Sequence, residues 1–127
     1  MASVAYQALK RLLVNGPLTG FPTRRADAEL LLELAAARFD ADRDYSEAEV
    51  NDVLRDWLAS FCDPHGIDHV SMRRQLVDAR YLARDKSGAR YRLLRSADDA
   101  RVDPMQVLGD IRDERAARKK HHLGEAL

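Results

Sequence analysis

The chain of 127 residues is poor in several features that mark other classes of protein. Cys62 is its single cysteine, so no disulfide can form within the chain, and a reducing intracellular compartment is expected. No stretch approaches the roughly 18 apolar residues that a transmembrane helix needs, and the first 16 residues lack the apolar run of a signal peptide. We therefore expect a cytoplasmic protein with no membrane partner.

The sequence also lacks an internal repeat and a low-complexity tract. Hydrophobic residues make up 46% of the chain and charged residues 33%, which excludes a disordered protein and indicates a globular one. A chain of this length fits one domain with a short helix attached at either end, because single cores usually span about 100–150 residues.

The chain has no net charge, but its charges are unevenly distributed. Residues 27–69 contain three basic and twelve acidic residues, whereas residues 70–95 contain eight basic and two acidic residues. A phosphate backbone responds to the local field of such a basic segment and not to the total charge. Residues 70–95 are therefore the first place to look for a binding surface.

Apolar spacing and turn residues predict five helices and one β-hairpin. The predicted helices cover residues 3–14, 24–38, 46–61, 69–80 and 104–121, and the predicted strands cover residues 81–84 and 90–94. Gly16 and Pro17 should end the first helix, and residues 40–45 are predicted to be a linker.

Capping residues indicate where several of these helices begin. Ser46 and Glu49 have the spacing of a capping box, in which each side chain binds a backbone N–H of the other residue. This is the strongest local signal in the chain. The other predicted N-caps are Thr23, Asp68 or Ser71, and Asp103, which is followed by Pro104 at the first helical position.

The predicted hairpin turns at residues 85–88, where Gly88 can supply the positive φ that a short turn needs. Alternation along the second strand places Tyr91 and Leu93 inward and Arg90 and Arg92 outward.

The order of these elements predicts a mainly α fold with a small β-hairpin, namely a winged helix-turn-helix. We expect the winged-helix domain at residues 23–95. An N-terminal helix and linker would occupy residues 1–22, and a C-terminal helix and tail would occupy residues 96–127.

Part of this stretch carries a family resemblance. The matching positions are Arg38 and Phe39, Tyr45 through Asn51, Arg73 through Asp78, Arg84, and Gly88 with Tyr91. In order and spacing they resemble the bacterial family catalogued as domain of unknown function 2087. Met72 departs from the leucine usual there, and the stretch before the third winged-helix helix is longer than usual. The resemblance implies a winged-helix-like module that occurs alone or joined to bacterial regulator domains.

The candidate DNA contacts lie on the helix predicted at residues 69–80 and on the hairpin. Arg and Gln side chains can read base edges, and hairpin cations can contact phosphate as a wing does. We expect these cations to converge on one outward surface, although the same residues also suit a solvated helix face and a charged sheet edge. The candidates are Ser71, Arg74, Gln75, Asp78, Arg84, Lys86, Arg90 and Arg92.

Four residues are assigned structural roles. A helical projection places Arg73 inside the buried arc of its helix, where it needs a carboxylate partner to offset desolvation. Glu47, Glu49 and Asp52 are the candidates for that partner. Trp57 lies on the predicted buried face of the preceding helix.

Metal binding and catalysis have weaker support. Cys62, His65 and His69 have a ligand-like spacing, but structural zinc needs four ligands and no fourth is near, so a plain loop is the preferred interpretation. The acidic residues of the helix predicted at 46–61 have no accompanying nucleophile or phosphate-binding loop. They are Glu47, Glu49, Asp52 and Asp56. We expect neither an enzyme nor a bound cofactor.

Two functional hypotheses remain open. The first is a DNA-binding transcriptional regulator, or an accessory module of one, that contacts double-stranded DNA. The second is a protein-interaction module with the same fold that does not bind DNA. The second is motivated by the acidic segment and by apolar positions on the terminal helices, which we expect to be exposed and which could bury against a partner regulator or a second copy. These positions are Leu9, Leu12, Leu13, Leu108 and Ile111.

Overall fold

The computed structural model describes residues 3–97 and 100–125. These residues form a mainly helical protein with a small antiparallel sheet. In chain order the elements are α1 (Val4–Leu12), α2 (Arg25–Ala36), β1 (Asp44–Tyr45), α3 (Glu47–Ala59), α4 (His69–Asp78), β2 (Leu82–Arg84), β3 (Tyr91–Leu93) and α5 (Pro104–Glu125). The five predicted helices are thus all present, and α5 extends further than the sequence indicated.

The helix N-termini confirm most of the predicted caps. The Ser46 hydroxyl accepts a hydrogen bond from the Glu49 backbone at 3.1 Å, and the Glu49 carboxylate accepts one from the Ser46 backbone at 3.0 Å, which completes the capping box of α3. Asp68 caps α4 by accepting from the Ser71 N–H. The prediction for Thr23 is wrong. The helix α2 begins one residue later than predicted, so Arg24 holds the N-cap position and no side chain caps this helix.

The sheet contains a strand that the sequence did not predict. Its order is β1-β3-β2, so β3 lies in the centre and pairs antiparallel with both neighbours. β1 comes from the predicted linker and places Asp44 opposite Arg92 and Tyr45 opposite Tyr91. Two residues are too few to show a strand's alternation, so only the pairing with β3 reveals this strand.

The terminal helices are part of the core. Leu9 and Leu13 are fully buried and Ile111 is 7% exposed, while Leu12 and Leu108 are partly buried against the same core. The expectation that these apolar side chains are exposed is therefore wrong, because α1 packs between α2 and α5 and covers them within the chain.

Polar contacts also join the two terminal helices. Lys10 and Glu114 form an ion pair of 2.6 Å, and the Tyr6 hydroxyl donates to the Asp110 carboxylate. Arg115 donates to the carbonyl of Val14, two residues beyond the end of α1. The two helices run parallel, since positions further along α1 contact positions further along α5. Within the described residues, no helix is long and apolar enough to cross a membrane.

Candidate nucleic-acid interface

The helix α4 divides its side chains between the core and solvent. Met72, Arg73 and Leu76 are buried, whereas Ser71, Arg74 and Asp78 are exposed and Gln75 is half-buried. This division follows the 3.6-residue period of the helix, which separates positions 72, 73 and 76 from the others. All four candidate contacts of α4 therefore reach solvent.

Arg73 is held at the boundary between α4 and α3. Its guanidinium forms an ion pair of 2.8 Å with Glu47 and donates a hydrogen bond of 2.5 Å to the Asn51 side chain. The Arg73 side chain is only 11% exposed, so these partners offset the cost of removing its charge from water. Glu47 is one of the three carboxylates that the sequence offered as a partner, whereas Asn51 was not anticipated.

The sheet register separates the hairpin cations onto two faces. Arg84 lies opposite Tyr91, on the face that carries the buried tyrosine ring and looks toward α4. Arg92 lies opposite Ala83 and Asp44, on the other face, and its Nε is 2.9 Å from the Asp44 carboxylate. The expectation of one convergent cationic surface is therefore wrong for Arg92, because strand alternation turns it away from Arg84 and Asp44 pairs with it. The same alternation puts Arg90, which precedes Tyr91, on the side of Arg92.

The hairpin turn is built by Asp85 and Gly88. The Asp85 carboxylate accepts hydrogen bonds from the Ala89 backbone at 2.9 Å and from the Ser87 hydroxyl at 3.0 Å. Desolvation raises the pKa of Asp85, but the hydrogen bonds from the turn outweigh it and lower the pKa below its ordinary value. Gly88 has a φ of 75°, as the predicted turn requires. Lys86, within this turn, is exposed.

A cleft lies between α4, the hairpin and the start of α3, and we name it the basic cleft. Its volume is about 300 Å³, and its lining residues are Glu47, Arg73, Arg74, Val77, Asp78, Arg84 and Tyr91. Within the described part of the chain, Arg74 and Arg84 form no ion pair, and neither do the exposed Lys86 and Arg90 of the hairpin. These four cations are therefore available to an anionic partner.

Two of the other predicted structural residues lie away from this cleft. Glu49 completes the α3 cap and also pairs with Arg43 at 2.9 Å. Hydrogen bonds with Ser46 are the main reason that the pKa of Glu49 falls below its ordinary value. Trp57 is 7% exposed and packs edge-on against Phe61, with ring centroids 4.6 Å apart.

The candidate metal ligands do not converge. Cys62 is buried, and burial, with a smaller contribution from Asp63, raises the pKa of its thiol to about 12. His65 is exposed, while His69 lies beside Asp68 at 3.8 Å. In the part of the chain that the structure describes, no three His, Cys, Asp or Glu side chains are placed to hold a metal ion.

Sequence reasoning missed several contacts in and around the interface. Arg95 donates to the Ala79 carbonyl at 2.9 Å, and its guanidinium lies 4.0 Å from the centre of the Tyr81 ring, which ties the end of β3 to the end of α4. Asn51 and Asp44 were missed because their partners are distant in sequence. Only the sheet register and the packing of α3 on α4 bring them together.

The comparisons with known proteins give one family match, which covers the residues of this interface. The family described as "Uncharacterized protein conserved in bacteria (DUF2087)" matches residues 17–93, which include α2, α3, α4 and the whole sheet. No curated protein and no solved structure matches the chain.

Proposed function

Because the chain belongs to the bacterial DUF2087 family, whose description assigns no activity, we propose a function from the interface itself: a winged helix-turn-helix module that binds double-stranded DNA. The module would serve a transcriptional regulator, either as the regulator itself or as its accessory part. It would act in the cytoplasm, where bacterial DNA is found.

The observation that supports this proposal most is the set of unpaired cations beside an exposed helix face. The elements α3, α4, β2 and β3 follow one another as they do in winged helices, where the last helix enters the major groove and the hairpin lies beside it. Arg74 on α4 and Arg84, Lys86 and Arg90 on the hairpin would meet the phosphate backbone or the base edges.

The roles of these residues differ. Arg74 and Gln75 have side chains that can recognise guanine and adenine, so they would contribute sequence preference. Lys86 and Arg90 would contact phosphate and position the module without reading sequence. Arg92 would contribute least, because its charge is already paired with Asp44.

Ion pairs neutralise part of the acidic segment at residues 27–69. Glu47 and Asp44 each pair with a cation of the basic segment, while Glu49 pairs with Arg43. Part of its negative charge is therefore compensated within the chain.

Fluorescence anisotropy with a labelled mixed-sequence duplex tests the proposal. Replacing Arg84, Lys86, Arg90 and Arg92 together with Ala should weaken binding at low salt. The slope of the logarithm of the association constant against the logarithm of salt concentration should also become smaller in magnitude by about three. Each lost phosphate contact lowers that slope by about 0.9, and Arg92 contributes little.

A matched control removes four exposed cations from α5 instead, by replacing Arg112, Arg118, Lys119 and Lys120 with Ala. This variant has the same change of charge and should bind the duplex like the parent chain. Unchanged binding in the hairpin variant, or an equal loss in both variants, would overturn the proposal.

The protein-interaction hypothesis receives no such support. One of its two motivations was apolar surface on the terminal helices, and Leu9, Leu13 and Ile111 are buried within the chain. Its other motivation, the acidic segment at residues 27–69, remains. DNA binding is therefore the function that the interface favours.

A further inference from the structure

The basic cleft has an excess of positive charge once its internal pairing is considered. Three guanidinium groups and two carboxylates line it. Glu47 is committed to Arg73 by their ion pair, which leaves Arg74 and Arg84 facing one carboxylate, that of Asp78. Such a cleft favours an anion over a cation.

Arg73 forms the floor of the cleft, where its guanidinium is held rigidly and still has N–H donors that bind no other group. A guanidinium carries five N–H groups in a fixed plane. Two of its nitrogens contact Glu47 and Asn51, so those bonds fix the orientation of the plane while other N–H groups stay uncommitted. A buried cation held in this way can meet an incoming anion without first losing side-chain freedom.

Tyr91 adds an uncharged donor. The residue is 2% exposed, and its hydroxyl forms no hydrogen bond with any described residue. In the same part of the chain, the buried side-chain polar atoms that lack a partner are Arg38 Nε and Trp57 Nε1. Since the Tyr91 hydroxyl is not among them, it retains access to solvent, and the cleft is the cavity that Tyr91 lines.

The hairpin places Arg84 and Tyr91 on the same face of the sheet. Arg84 and Tyr91 are directly opposite in the β2–β3 pair, so their side chains share one face of the sheet. The Arg84 guanidinium lies against Gly88, where a Cβ atom would overlap it. The missing side chain at position 88 therefore makes room for the guanidinium.

We propose that the basic cleft binds one phosphate group, held by Arg74, Arg84 and the Tyr91 hydroxyl above the Arg73 floor. Its volume of about 300 Å³ is at the lower limit of ligand clefts, which suits a single phosphate better than a large cofactor. We assign this phosphate group to the backbone of the bound duplex, and that assignment rests on the proposed function. The chemistry of the cleft does not depend on that source.

Titration of the full chain with inorganic phosphate tests the cleft directly. The arginine Nε–Hε signals in nitrogen-15 NMR spectra report on the guanidinium groups, and sodium chloride at equal ionic strength serves as the reference. The signals of Arg73 and Arg84 should shift and saturate. Arg84→Gln should weaken phosphate binding about tenfold and Tyr91→Phe about threefold, as expected for one charged and one neutral hydrogen bond.

A gain of affinity excludes misfolding as an explanation. Asp78→Asn removes the carboxylate that repels an anion in the cleft, so it should tighten phosphate binding about threefold to tenfold. Asp56→Asn is the matched control, since Asp56 is exposed on α3 and does not line the cleft. It should leave phosphate binding unchanged.

The same variants measured with the duplex separate the two proposals. If the duplex binds while Arg84→Gln, Tyr91→Phe and Asp78→Asn leave phosphate affinity unchanged, the cleft proposal is wrong and the proposed function stands. If phosphate saturates the cleft but no duplex binds, the cleft proposal stands and the duplex is refuted as the source. Parallel changes for phosphate and duplex support both.

Discussion

The α1–α5 helix pair and the region formed by α4 and the hairpin are both rich in charge, but they use it differently. In the helix pair, Lys10 reaches Glu114 at 2.6 Å and Tyr6 donates to Asp110, so the polar groups bind one another across the two helices. In the α4–hairpin region, cations such as Arg84 form no ion pair within the described chain. Paired charges hold the two helices in one relative position. Unpaired cations instead create a positive potential at the surface, which attracts an anionic partner.

The family match at residues 17–93 covers α2, α3, α4 and the sheet and leaves α1 and α5 outside. Because the polar groups of the helix pair bind one another, we expect substitutions there to change stability alone. Substitutions in the α4–hairpin region should separate into those that change stability and those that change binding.

Leu9→Ala should have the largest effect and tests whether the helix pair is purely structural. Leu9 is fully buried, and removing such a side chain leaves a cavity that costs about 3 kcal/mol of unfolding free energy. Urea unfolding followed by circular dichroism measures this loss. Duplex affinity should stay that of the parent chain at a temperature where the variant is fully folded.

The control for this prediction is Val4→Ala on the same helix. Val4 is 81% exposed, so its truncation should change stability by less than about 0.5 kcal/mol. A folded Leu9→Ala chain with weakened duplex binding would show that the two regions are not separate.

The second prediction compares two ion pairs within the α4–hairpin region. Glu47→Gln removes the charge that neutralises the buried Arg73 guanidinium and leaves it with neutral amide partners, Asn51 and the substituted side chain. It should cost about 2 kcal/mol, less than for a fully buried pair because Glu47 is itself 46% exposed. Asp44→Asn breaks a pair whose two side chains are 45% and 55% exposed, and it should cost less than about 1 kcal/mol.

Urea unfolding of both variants decides this comparison. Equal losses of stability would show that burial of Arg73 does not distinguish the two pairs. Under the proposed function, Asp44→Asn also frees the Arg92 cation and should tighten duplex binding slightly.

Local signals in the sequence predicted much of this region. The capping box of Ser46 and Glu49 depends on residues within one helical turn, and the turn at Gly88 depends on one backbone conformation. The buried position of Arg73 followed from helical periodicity alone. Each of these features is decided by neighbours along the chain.

Features that depend on distant partners could not be predicted in the same way. β1 has two residues, and its role follows only from pairing with β3. The Asp44–Arg92 pair, which removes one cation from the expected surface, depends on that register. Periodicity likewise showed that Leu9 lies on an apolar face of α1, but not that α2 and α5 would cover it.

The third prediction concerns how helices end in the two regions. α1 ends at Leu12, and the turn that follows it places Gly16 at a φ of 104°. α4 ends next to Arg80, which has a φ of 64°, a conformation that costs a residue with a Cβ about 1 kcal/mol. Arg80→Gly should therefore raise the unfolding free energy by about 1 kcal/mol. Arg80→Ala removes the same charge but keeps the backbone strain, so it should bring no such gain in urea unfolding. Equal stability of the two variants would contradict the strain argument.

The smallest expected effect concerns the pH dependence of the helix pair. The hydrogen bond to Asp110 is the main reason that the pKa of Tyr6 rises to about 12 from its ordinary value of 10.0. A group whose pKa is raised by folding stabilises the protein below the unfolded pKa and loses that contribution as pH rises. Tyr6 should thus contribute fully below pH 10 and progressively less between pH 10 and about 12.

Tyr6→Phe isolates this contribution, since it removes the titrating hydroxyl and keeps the ring. Urea unfolding of both chains at pH 8 and at pH 11 should show a difference in unfolding free energy that shrinks as pH rises. The whole difference should be below about 1 kcal/mol, because Tyr6 is only partly buried and solvent screens the interaction. Tyr91→Phe is the contrasting variant, since the Tyr91 hydroxyl has no partner in the described chain and its removal should leave the unfolding free energy nearly unchanged at pH 8. A pH-independent difference for Tyr6→Phe would mean that the hydroxyl does not hold the helix pair together, and the contrast between paired and unpaired polar groups would then rest on Lys10 and Glu114 alone.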